Sequence, residues 1–426
     1  PGESEQPLTL GDERTEEYLP LLEGKRVAVF SNQTGVVGDR IETPSGEYDR
    51  TPSALKEYVL ANDLVPLGQS PEGEEIQTGE HILDLLVAKG VNVTAAFSPE
   101  HGFRGDADAG KSVENSVDEK TGVPIRSLYS GKSHYPSDGD MDSFDTLVVD
   151  LQDVGLRYYT YHISLFYLME ACARKDKEII ILDRPNPNGF YVDGPVLQEK
   201  FSSGVGKLPL PVVYGMTWGE LAGMINGEGW LSTGKDSAKL TVISCLNYSH
   251  KDKVPLLLRP SPNLKDMRAV YLYASTCYFE NSVVSVGRGT QYPFEIYGSP
   301  YLNGVTGFEY SFTPESMSGA TDPPFRGETC YGKDLRSREL TDIWEAGIDL
   351  SYLIEAYNAV KEKDPQRSFF GKPDGSGIYW VDKLFGTDSV RKMIEDGKSA
   401  EEIKASWQDE LAEFENLRSK YLLYEQ

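Results

Sequence analysis

The stretch Arg26-Val27-Ala28-Val29-Phe30-Ser31 predicts a short β-strand, and the turn signal Asn32-Gln33-Thr34-Gly35 follows it directly. The same alternation of strand, turn and helix continues along the first half of the chain. Further strands are predicted over 91–97, 145–150 and 178–182, and helices over 80–89, 162–175 and 217–227. Strands that alternate with helices indicate βαβ units and a mainly parallel sheet. We therefore expect an open α/β domain.

The second half has a different pattern. β-rich runs and glycine turns are expected over 266–298, and helices over 350–360, 388–395 and 399–424. Because a single core stops growing at roughly 250–300 residues, 426 residues favour two domains. We place them at 1–250 and 251–426. The long polar segment 36–78 is expected to be an insertion with its own structure, such as a lid.

Composition excludes several classes of function. The formal charge is −25, from 67 acidic and 42 basic residues, and no basic cluster is present, which argues against a nucleic acid partner. No apolar run approaches the roughly 18–20 residues of a membrane span. The four cysteines form no CxxC pair, so neither a zinc site nor a disulfide framework is expected. The acidity itself is interpreted as an aid to solubility.

Common cofactor and nucleophile motifs are also missing from the sequence. No GxGxxG opens the first strand-to-helix turn, and no GxSxG elbow is present. We predict no cofactor and no metal. The chain begins Pro1-Gly2-Glu3-Ser4 without Met, which we interpret as a protein trimmed of its leader. Together with the function considered below, this predicts a secreted or periplasmic location, with a lipid anchor before trimming as one alternative.

Three polar clusters follow predicted strands, where ligands bind in open α/β sheets. They are Ser98-Pro99-Glu100-His101-Gly102-Phe103-Arg104-Gly105, the segment 150–161 and the segment 183–189. A fourth, in the second half, comprises Tyr278 to Asn281, Ser285 to Thr290 and Pro293 to Glu295. Each cluster has a plain structural alternative. Glu100 could cap a helix or loop, the aspartates could cap turns, and Arg157 and Arg184 could be structural partners of those aspartates.

With cofactors, metals and a serine nucleophile set aside, catalysis by carboxyl groups is the chemistry that remains. Glycoside hydrolysis needs a carboxylic acid as proton donor and a second group at the oxocarbenium-like centre, and Glu100, near Phe103 and His101, is a candidate donor. Tyr158, Tyr159 and Tyr161 could supply stacking faces and hydroxyl contacts to a sugar. Four arginines could bind a sugar-borne carboxylate by bidentate pairing: Arg104, Arg157, Arg184 and Arg288.

Together these segments resemble the NamZ-type exo-β-N-acetylmuramidases, a bacterial family once known only as a domain of unknown function. The resemblance rests on 31–35, 98–105, 150–161 and 183–189, and continues through the following motifs: Gly194-Pro195, Gly215-Met216-Thr217 with Glu220, Pro260-Ser261-Pro262-Asn263, Gly287-Arg288-Gly289-Thr290 and Pro293-Phe294-Glu295. It implies a Rossmann-like N-terminal domain, a smaller C-terminal α/β domain and an active cleft between them. It also implies release of N-acetylmuramic acid from non-reducing ends of peptidoglycan fragments, with Glu100 as the catalytic acid.

The resemblance leaves part of the chemistry open. Asp153, Glu280 or the substrate's own 2-acetamido group could be the second catalytic group, and Tyr214 stands where the family commonly has His. Alternatives are a non-catalytic glycan-binding protein and a wall hydrolase of altered specificity. The predicted catalytic residues are Glu100, His101 and Asp153. The predicted substrate-binding residues are Asn32, Gln33, Thr34, Arg104, Gln152, Arg157, Tyr158, Tyr161, Asp183, Arg184, Asn188, Glu280, Arg288 and Glu295.

Overall fold

The computed structural model describes residues 4–39, 41–42, 49–100, 102–103, 115–128 and 133–426. Its strands, in chain order, are β1 (Arg26–Ser31), β2 (Ile41–Glu42), β3 (Gln77–Thr78), β4 (Asn92–Ser98), β5 (Ser116–Val117), β6 (Pro124–Ser127), β7 (Thr146–Asp150), β8 (Glu178–Leu182), β9 (Asp193–Val196), β10 (Pro211–Val213), β11 (Lys239–Ile243), β12 (Ile296–Ser299), β13 (Tyr310–Phe312) and β14 (Cys330–Asp334).

The α-helices surround these strands. In chain order they are α1 (Thr15–Tyr18), α2 (Pro52–Asn62), α3 (Ile82–Ala88), α4 (Asp138–Asp142), α5 (Tyr161–Arg174), α6 (Trp218–Gly227), α7 (Met267–Thr276), α8 (Leu340–Ala346), α9 (Ser351–Lys363), α10 (Trp380–Phe385), α11 (Ser389–Glu395), α12 (Ala400–Ala405) and α13 (Gln408–Arg418). No helix among the described residues is long and apolar enough to cross a membrane.

A seven-stranded sheet organises the first unit, in the order β11-β8-β7-β1-β4-β6-β5. Its first six strands are parallel, and β5 alone pairs antiparallel at the edge. Numbered along the chain, the parallel strands take the order 3-2-1-4-5-6, which is that of a Rossmann fold. The predicted mainly parallel, Rossmann-like sheet is confirmed. The strand order reverses between β1 and β7, so ligands are expected beyond the carboxyl ends of these strands.

Both faces of this sheet are buried. Along β1, Ala28 and Phe30 pack into one apolar core, whereas Val27 and Val29 pack into another on the opposite face. Burial on two sides explains why the central strands are nearly continuous apolar runs, which the sequence displays clearly.

The second unit is smaller and contains a three-stranded antiparallel sheet, β12-β14-β13, with α7 to α13 around it. One apolar core continues from the large sheet into these helices. The end of the chain returns to the first unit, where the Tyr424 hydroxyl donates to the Asp183 carboxylate (2.6 Å). The division at residue 250 stays a prediction.

Two elements differ from expectation. Residues 267–276 form α7, although a β-rich run was predicted there. All ten residues of α7 are buried, so the helical period has no polar face to reveal it, and only the N-cap Asp266 signals the start. The single helix expected over 399–424 is two helices, α12 and α13. The helix is interrupted near Trp407, between α12 and α13. The indole N–H of Trp407 donates to Asp193 (3.1 Å).

The segment 36–78 does contain structure of its own, including α2 and the β2–β3 pair. Its described part is anchored to the start of the second unit. Asp63 forms an ion pair with Arg268 (2.6 Å), and the Leu67 amide donates to the Lys265 carbonyl (2.7 Å). None of its described residues lines the large pocket of the protein, so it is not placed as a lid over that pocket.

Candidate active site

A pocket of about 790 Å³ lies between the two units. The first unit contributes Glu100, which follows β4, and residues 158–160, which follow β7. The second unit contributes the end of α7, the segment 279–288, the segment 319–325 and Trp380 of α10. The pocket therefore opens where the carboxyl ends of two strands flanking β1 meet the smaller unit, as expected for a Rossmann-like sheet. Its volume is ample for a small ligand.

Glu100 lies in the wall of this pocket and is half-buried. The Thr160 hydroxyl donates to its Oε2 atom (2.6 Å). Since Thr160 is the residue that precedes α5, the helix and the β4 loop together hold the carboxyl group in place. A carboxyl group oriented by a hydroxyl and facing a pocket suits proton transfer to a bound ligand.

The hydroxyls of the three tyrosines after β7 are bonded to backbone carbonyls. Tyr158 donates to the Tyr273 carbonyl (2.8 Å), and Tyr159 donates to the Pro260 carbonyl (2.8 Å). Tyr161 also donates to Pro260 (2.9 Å) and lies outside the pocket lining. The predicted hydroxyl contacts to a sugar are therefore not available from these three residues. Tyr158 and Tyr159 belong to the pocket lining, and the stacking of a sugar on their rings stays a prediction.

Glu280 and Arg288 form an ion pair in the opposite wall. The guanidinium Nη2 and Nε atoms of Arg288 lie 2.6 and 3.0 Å from Glu280 Oε1. Arg288 also stacks on the ring of Phe294, with 5.3 Å between the guanidinium carbon and the ring centroid. Among the described lining residues Arg288 is the one cation, so it is the group best placed to bind a ligand carboxylate.

The turn after β1 supports the pocket floor from outside the lining. Asn32 Oδ1 accepts hydrogen bonds from the amide (2.9 Å) and hydroxyl (2.6 Å) of Thr34, and the Thr34 hydroxyl oxygen accepts from the Gln152 amide (2.9 Å). Gln33 donates to the Arg259 carbonyl (2.8 Å), and Gln152 donates to the Pro185 carbonyl (2.8 Å). None of the four residues lines the pocket; their side chains bond within the turn after β1 and to neighbouring loops, and a contact with a ligand stays a prediction.

Arg184 is buried in a charge network. It contacts Asp150 (2.6 Å), Asp12 (2.7 Å) and Asp39 (2.9 Å). Burial, together with the nearby Asp150 carboxylate, holds the pKa of Asp12 well above its usual range. The prediction that Arg184 binds substrate is corrected to the structural alternative, because its guanidinium is committed to three carboxylates.

Asp153 and Asp183 are also structural. The Asp153 carboxylate accepts from the Trp218 indole (2.7 Å) and from the amides of Val154 and Gly155. Burial raises its pKa to about 6. Asp183 accepts from the Thr217 and Tyr424 hydroxyls and the Gly219 amide, and burial likewise raises its pKa to about 6. Neither carboxyl group lines the pocket, so Asp153 is not placed as a second catalytic group.

The remaining interior residues also lie outside the pocket lining. Asn188 donates to the Val154 carbonyl (2.8 Å), and Tyr214 is buried beside a void of about 10 Å³. Glu295 is buried next to Asp266, and this burial and the neighbouring carboxylate raise its pKa far above the usual range. The neutral form of Glu295 is therefore favoured relative to that of an exposed glutamate. Its carboxyl group lies outside the pocket lining, where the predicted contact with substrate would be made.

Arg157 is completely buried. Its guanidinium donates to the carbonyls of Pro195 (2.9 Å), Leu210 (2.7 Å) and Leu384 (2.8 Å). Since Leu384 lies on α10 of the second unit, Arg157 joins the two units and cannot reach a ligand in the pocket. Its predicted role in substrate binding is corrected accordingly.

Comparisons with known proteins identify the family. Models for the N-terminal and C-terminal parts of exo-β-N-acetylmuramidase NamZ match residues 71–268 and 271–424. The chain belongs to the NamZ family. It is 36% identical over 385 residues to the peptidoglycan β-N-acetylmuramidase NamZ of Bacillus subtilis, with 86% of this chain and 88% of that protein covered.

Two solved structures from Bacteroides fragilis, both described as DUF1343 family proteins, share the fold of this NamZ-family chain. One has 45% identity and a TM-score of 0.80, covering 99% of this chain and 100% of the other. The second has 26% identity and a TM-score of 0.73, covering 98% and 99%. The match over both units agrees with the α/β architecture inferred from the sequence.

Four of the predicted site residues line the pocket of this NamZ-family chain: Glu100, Tyr158, Glu280 and Arg288. His101 and Arg104 lie outside the described residues. Phe325 and Trp380 also line the pocket but lie outside the predicted polar clusters, whereas Thr160 and Asn281 belong to those clusters without having been assigned a role. Asn263, in the Pro260-Ser261-Pro262-Asn263 segment, was in view but was interpreted as part of a connector. Phe325 has a φ of +58°, which no residue pattern indicates.

Proposed function

We propose that this chain is an exo-acting glycoside hydrolase that releases N-acetylmuramic acid from the non-reducing ends of peptidoglycan fragments. The observation that carries this proposal is the Glu100 carboxyl group, which lies in the wall of the large pocket and is oriented by the Thr160 hydroxyl. The family membership supports the choice of substrate, because the Bacillus subtilis relative is a peptidoglycan β-N-acetylmuramidase.

In this mechanism Glu100 donates its proton to the glycosidic oxygen as the bond to the sugar's anomeric carbon breaks. The leaving oxygen becomes a hydroxyl group, water adds to the anomeric carbon to complete the released sugar, and the proton that this water loses restores the acid form of Glu100. The positive charge that develops on the sugar requires a second group. Glu280 lies in the same pocket and is the carboxylate we assign to this role, with the 2-acetamido group of the substrate as the alternative. Asp153 is excluded from it by its position outside the lining.

The positive charge of Arg288 favours muramic acid as the sugar bound in the pocket. The lactyl group of this sugar carries a carboxylate, which pairs well with a guanidinium. Arg288 is already oriented by Glu280 and by the Phe294 ring, so little side-chain freedom is lost on binding. The rings of Tyr158 and Tyr159 supply apolar faces for the sugar. The substrate lies in the cell wall, so we also propose a secreted or periplasmic location.

The decisive variant is Glu100→Gln, which keeps the shape of the side chain but removes the proton donor. We expect hydrolysis of a chromogenic N-acetylmuramic acid glycoside to fall by at least 10²-fold, the scale of general acid catalysis, with the unfolding midpoint unchanged. Glu345→Gln, on the exposed face of α8, is the matched control and should retain full activity.

Mass spectrometry of digested peptidoglycan fragments then identifies the product. Release of free N-acetylmuramic acid by the wild type, and its loss in Glu100→Gln, supports the proposal. A variant that remains fully active overturns the assignment of Glu100. Binding of fragments by the wild type with no product after long incubation would instead establish a non-catalytic glycan-binding protein.

A further inference from the structure

A cluster of aromatic side chains lies on the surface beside α5. The ring of His134 stacks on Tyr167, with centroids 5.1 Å apart and an interplanar angle of 10°. Tyr135 meets the same Tyr167 ring edge-on at 4.8 Å. His134 and Tyr135 are exposed, and Tyr167 is half-buried. We call these three residues the aromatic shelf. Exposed aromatic clusters of this kind mark binding surfaces more often than isolated apolar residues do.

Two cations lie against the shelf. The Lys207 ammonium is 5.2 Å from the Tyr167 ring centroid and 5.3 Å from that of Phe166. Lys207 forms no ion pair with a carboxylate in the described part of the chain, so its charge is available to a ligand. The Arg174 guanidinium is 5.3 Å from the Tyr135 ring and also pairs with Glu170 (3.4 Å). Both cations place positive charge at the shelf, whereas the chain as a whole has a net charge of −25.

Helix α5 connects the shelf to the active pocket. Thr160, which holds Glu100, precedes the helix, and Tyr167 follows seven residues later. Seven residues are almost two helical turns, so both side chains lie on the same face, separated by about 10 Å along the axis. The neighbouring loop makes a second connection, because Val205 lines the pocket and Lys207 covers the shelf. A ligand that leaves the pocket past Glu100 therefore meets the shelf.

We propose that the aromatic shelf and Lys207 form an aglycone subsite, which binds the part of a peptidoglycan fragment beyond the bond that is cleaved. This inference rests on the proposed function. The aromatic rings supply faces for the next sugars, whose C–H surfaces are apolar, and Lys207 attracts the carboxylates that peptidoglycan fragments carry. Continuity with the pocket and the sign of the charge both favour this ligand over another protein.

The test compares two substrates in Tyr167→Ala and Lys207→Ala. One is an N-acetylmuramic acid glycoside with a small aryl leaving group, which ends before the shelf. The other is a peptidoglycan fragment of at least four sugars with free stem-peptide carboxylates. We expect kcat/KM on the long fragment to fall about tenfold in each variant, the scale of one aromatic or charged contact. The rate on the aryl glycoside should remain within twofold of wild type.

Matched controls come from the second unit. Tyr357 is a half-buried helical tyrosine that stacks on Phe370 (5.7 Å), and the Lys333 ammonium lies over the ring of Phe308 (5.2 Å). Tyr357→Ala and Lys333→Ala should not change the ratio of the two rates. The Lys207→Ala effect should also disappear on a fragment whose stem-peptide carboxylates are amidated, whereas the Tyr167→Ala effect should persist.

Equal rate losses on both substrates, or no loss on either, would overturn the subsite. This outcome differs from failure of the proposed function, in which wild type does not cleave the aryl glycoside or Glu100→Gln still does. A ratio that changes only in Tyr167→Ala would show that the shelf binds sugar without a role for Lys207, and would overturn that part of the proposal.

Discussion

Replacing Arg157 separates its structural role from the substrate contact that the sequence suggested. Arg157→Met keeps an unbranched apolar stem as far as the position of Nε and removes the guanidinium group beyond it. Three buried carbonyls, those of Pro195, Leu210 and Leu384, then lose their donors. Leaving a buried acceptor unpaired costs about 1–3 kcal/mol, which amounts to about 6 kcal/mol for three at the middle of that range.

Part of this cost is offset. Arg157 has no carboxylate within hydrogen-bonding distance among the described residues, and burial lowers its pKa from 12.5 to about 10. At about 1.4 kcal/mol for each pKa unit, the wild-type protein carries about 3 kcal/mol of desolvation that methionine removes. We therefore expect the variant to lose about 3 kcal/mol of unfolding free energy. Arg157→Lys retains the charge with fewer well-placed donors and should lose at least as much.

Urea unfolding followed by tryptophan fluorescence measures the loss as a lower midpoint. Kinetics on the aryl glycoside, well below that midpoint, measure substrate binding, and we expect KM to stay within about threefold of wild type. An unchanged urea midpoint together with a tenfold or greater rise in KM would contradict the structural role of Arg157. That result would show that Arg157 contacts the substrate.

Two further predictions concern buried carboxyl groups. Tyr424→Phe removes a hydroxyl that donates to the buried Asp183. The free energy of unfolding at pH 7, measured with urea, should fall by about 1–3 kcal/mol. An unchanged midpoint would mean that Tyr424 does not stabilise the large sheet. Glu295 has a raised pKa, so the stability it contributes is complete below its unfolded pKa of about 4.3 and declines as the pH rises towards its folded pKa. Glu295→Gln should therefore unfold with a flatter pH dependence between pH 5 and 9, and an unaltered slope would contradict a raised pKa of Glu295.

The large sheet could be predicted because one effect, burial on both faces, determines which residues its strands contain. Strands such as β1 and β7 are buried on two faces, so they stand out as apolar runs between turns and helices. The helix predicted over 217–227 is α6, and the Thr217–Glu220 capping box at its start forms both of its hydrogen bonds. Helix α7 escaped prediction for a related reason, because complete burial removes the polar face that defines a helical period.

The site was harder to predict, because a charged residue at the end of a strand can face either a ligand or another loop. Glu100 and Arg184 both follow parallel strands, yet the former faces the pocket and the latter faces three aspartates. Two of those partners, Asp12 and Asp39, lie far away along the chain, and no local pattern connects them to Arg184. Sequence patterns locate the edge of the sheet, whereas the direction of each side chain depends on these distant contacts.

The direction of these side chains bears on how the pocket selects its ligand. The charges of Arg157, Arg184 and Asp183 are neutralised or hydrogen-bonded in the interior, where they fix the loops but contribute little to the pocket. Three cations lie near the proposed path of the glycan. Arg288 in the pocket pairs with Glu280, Arg174 at the shelf pairs with Glu170, and Lys207 forms no ion pair in the described part of the chain. Of these, we assign Arg288 and Lys207 to the carboxylates of the ligand. A ligand with carboxylates on both sides of the cleaved bond satisfies both, and a neutral glycan satisfies neither.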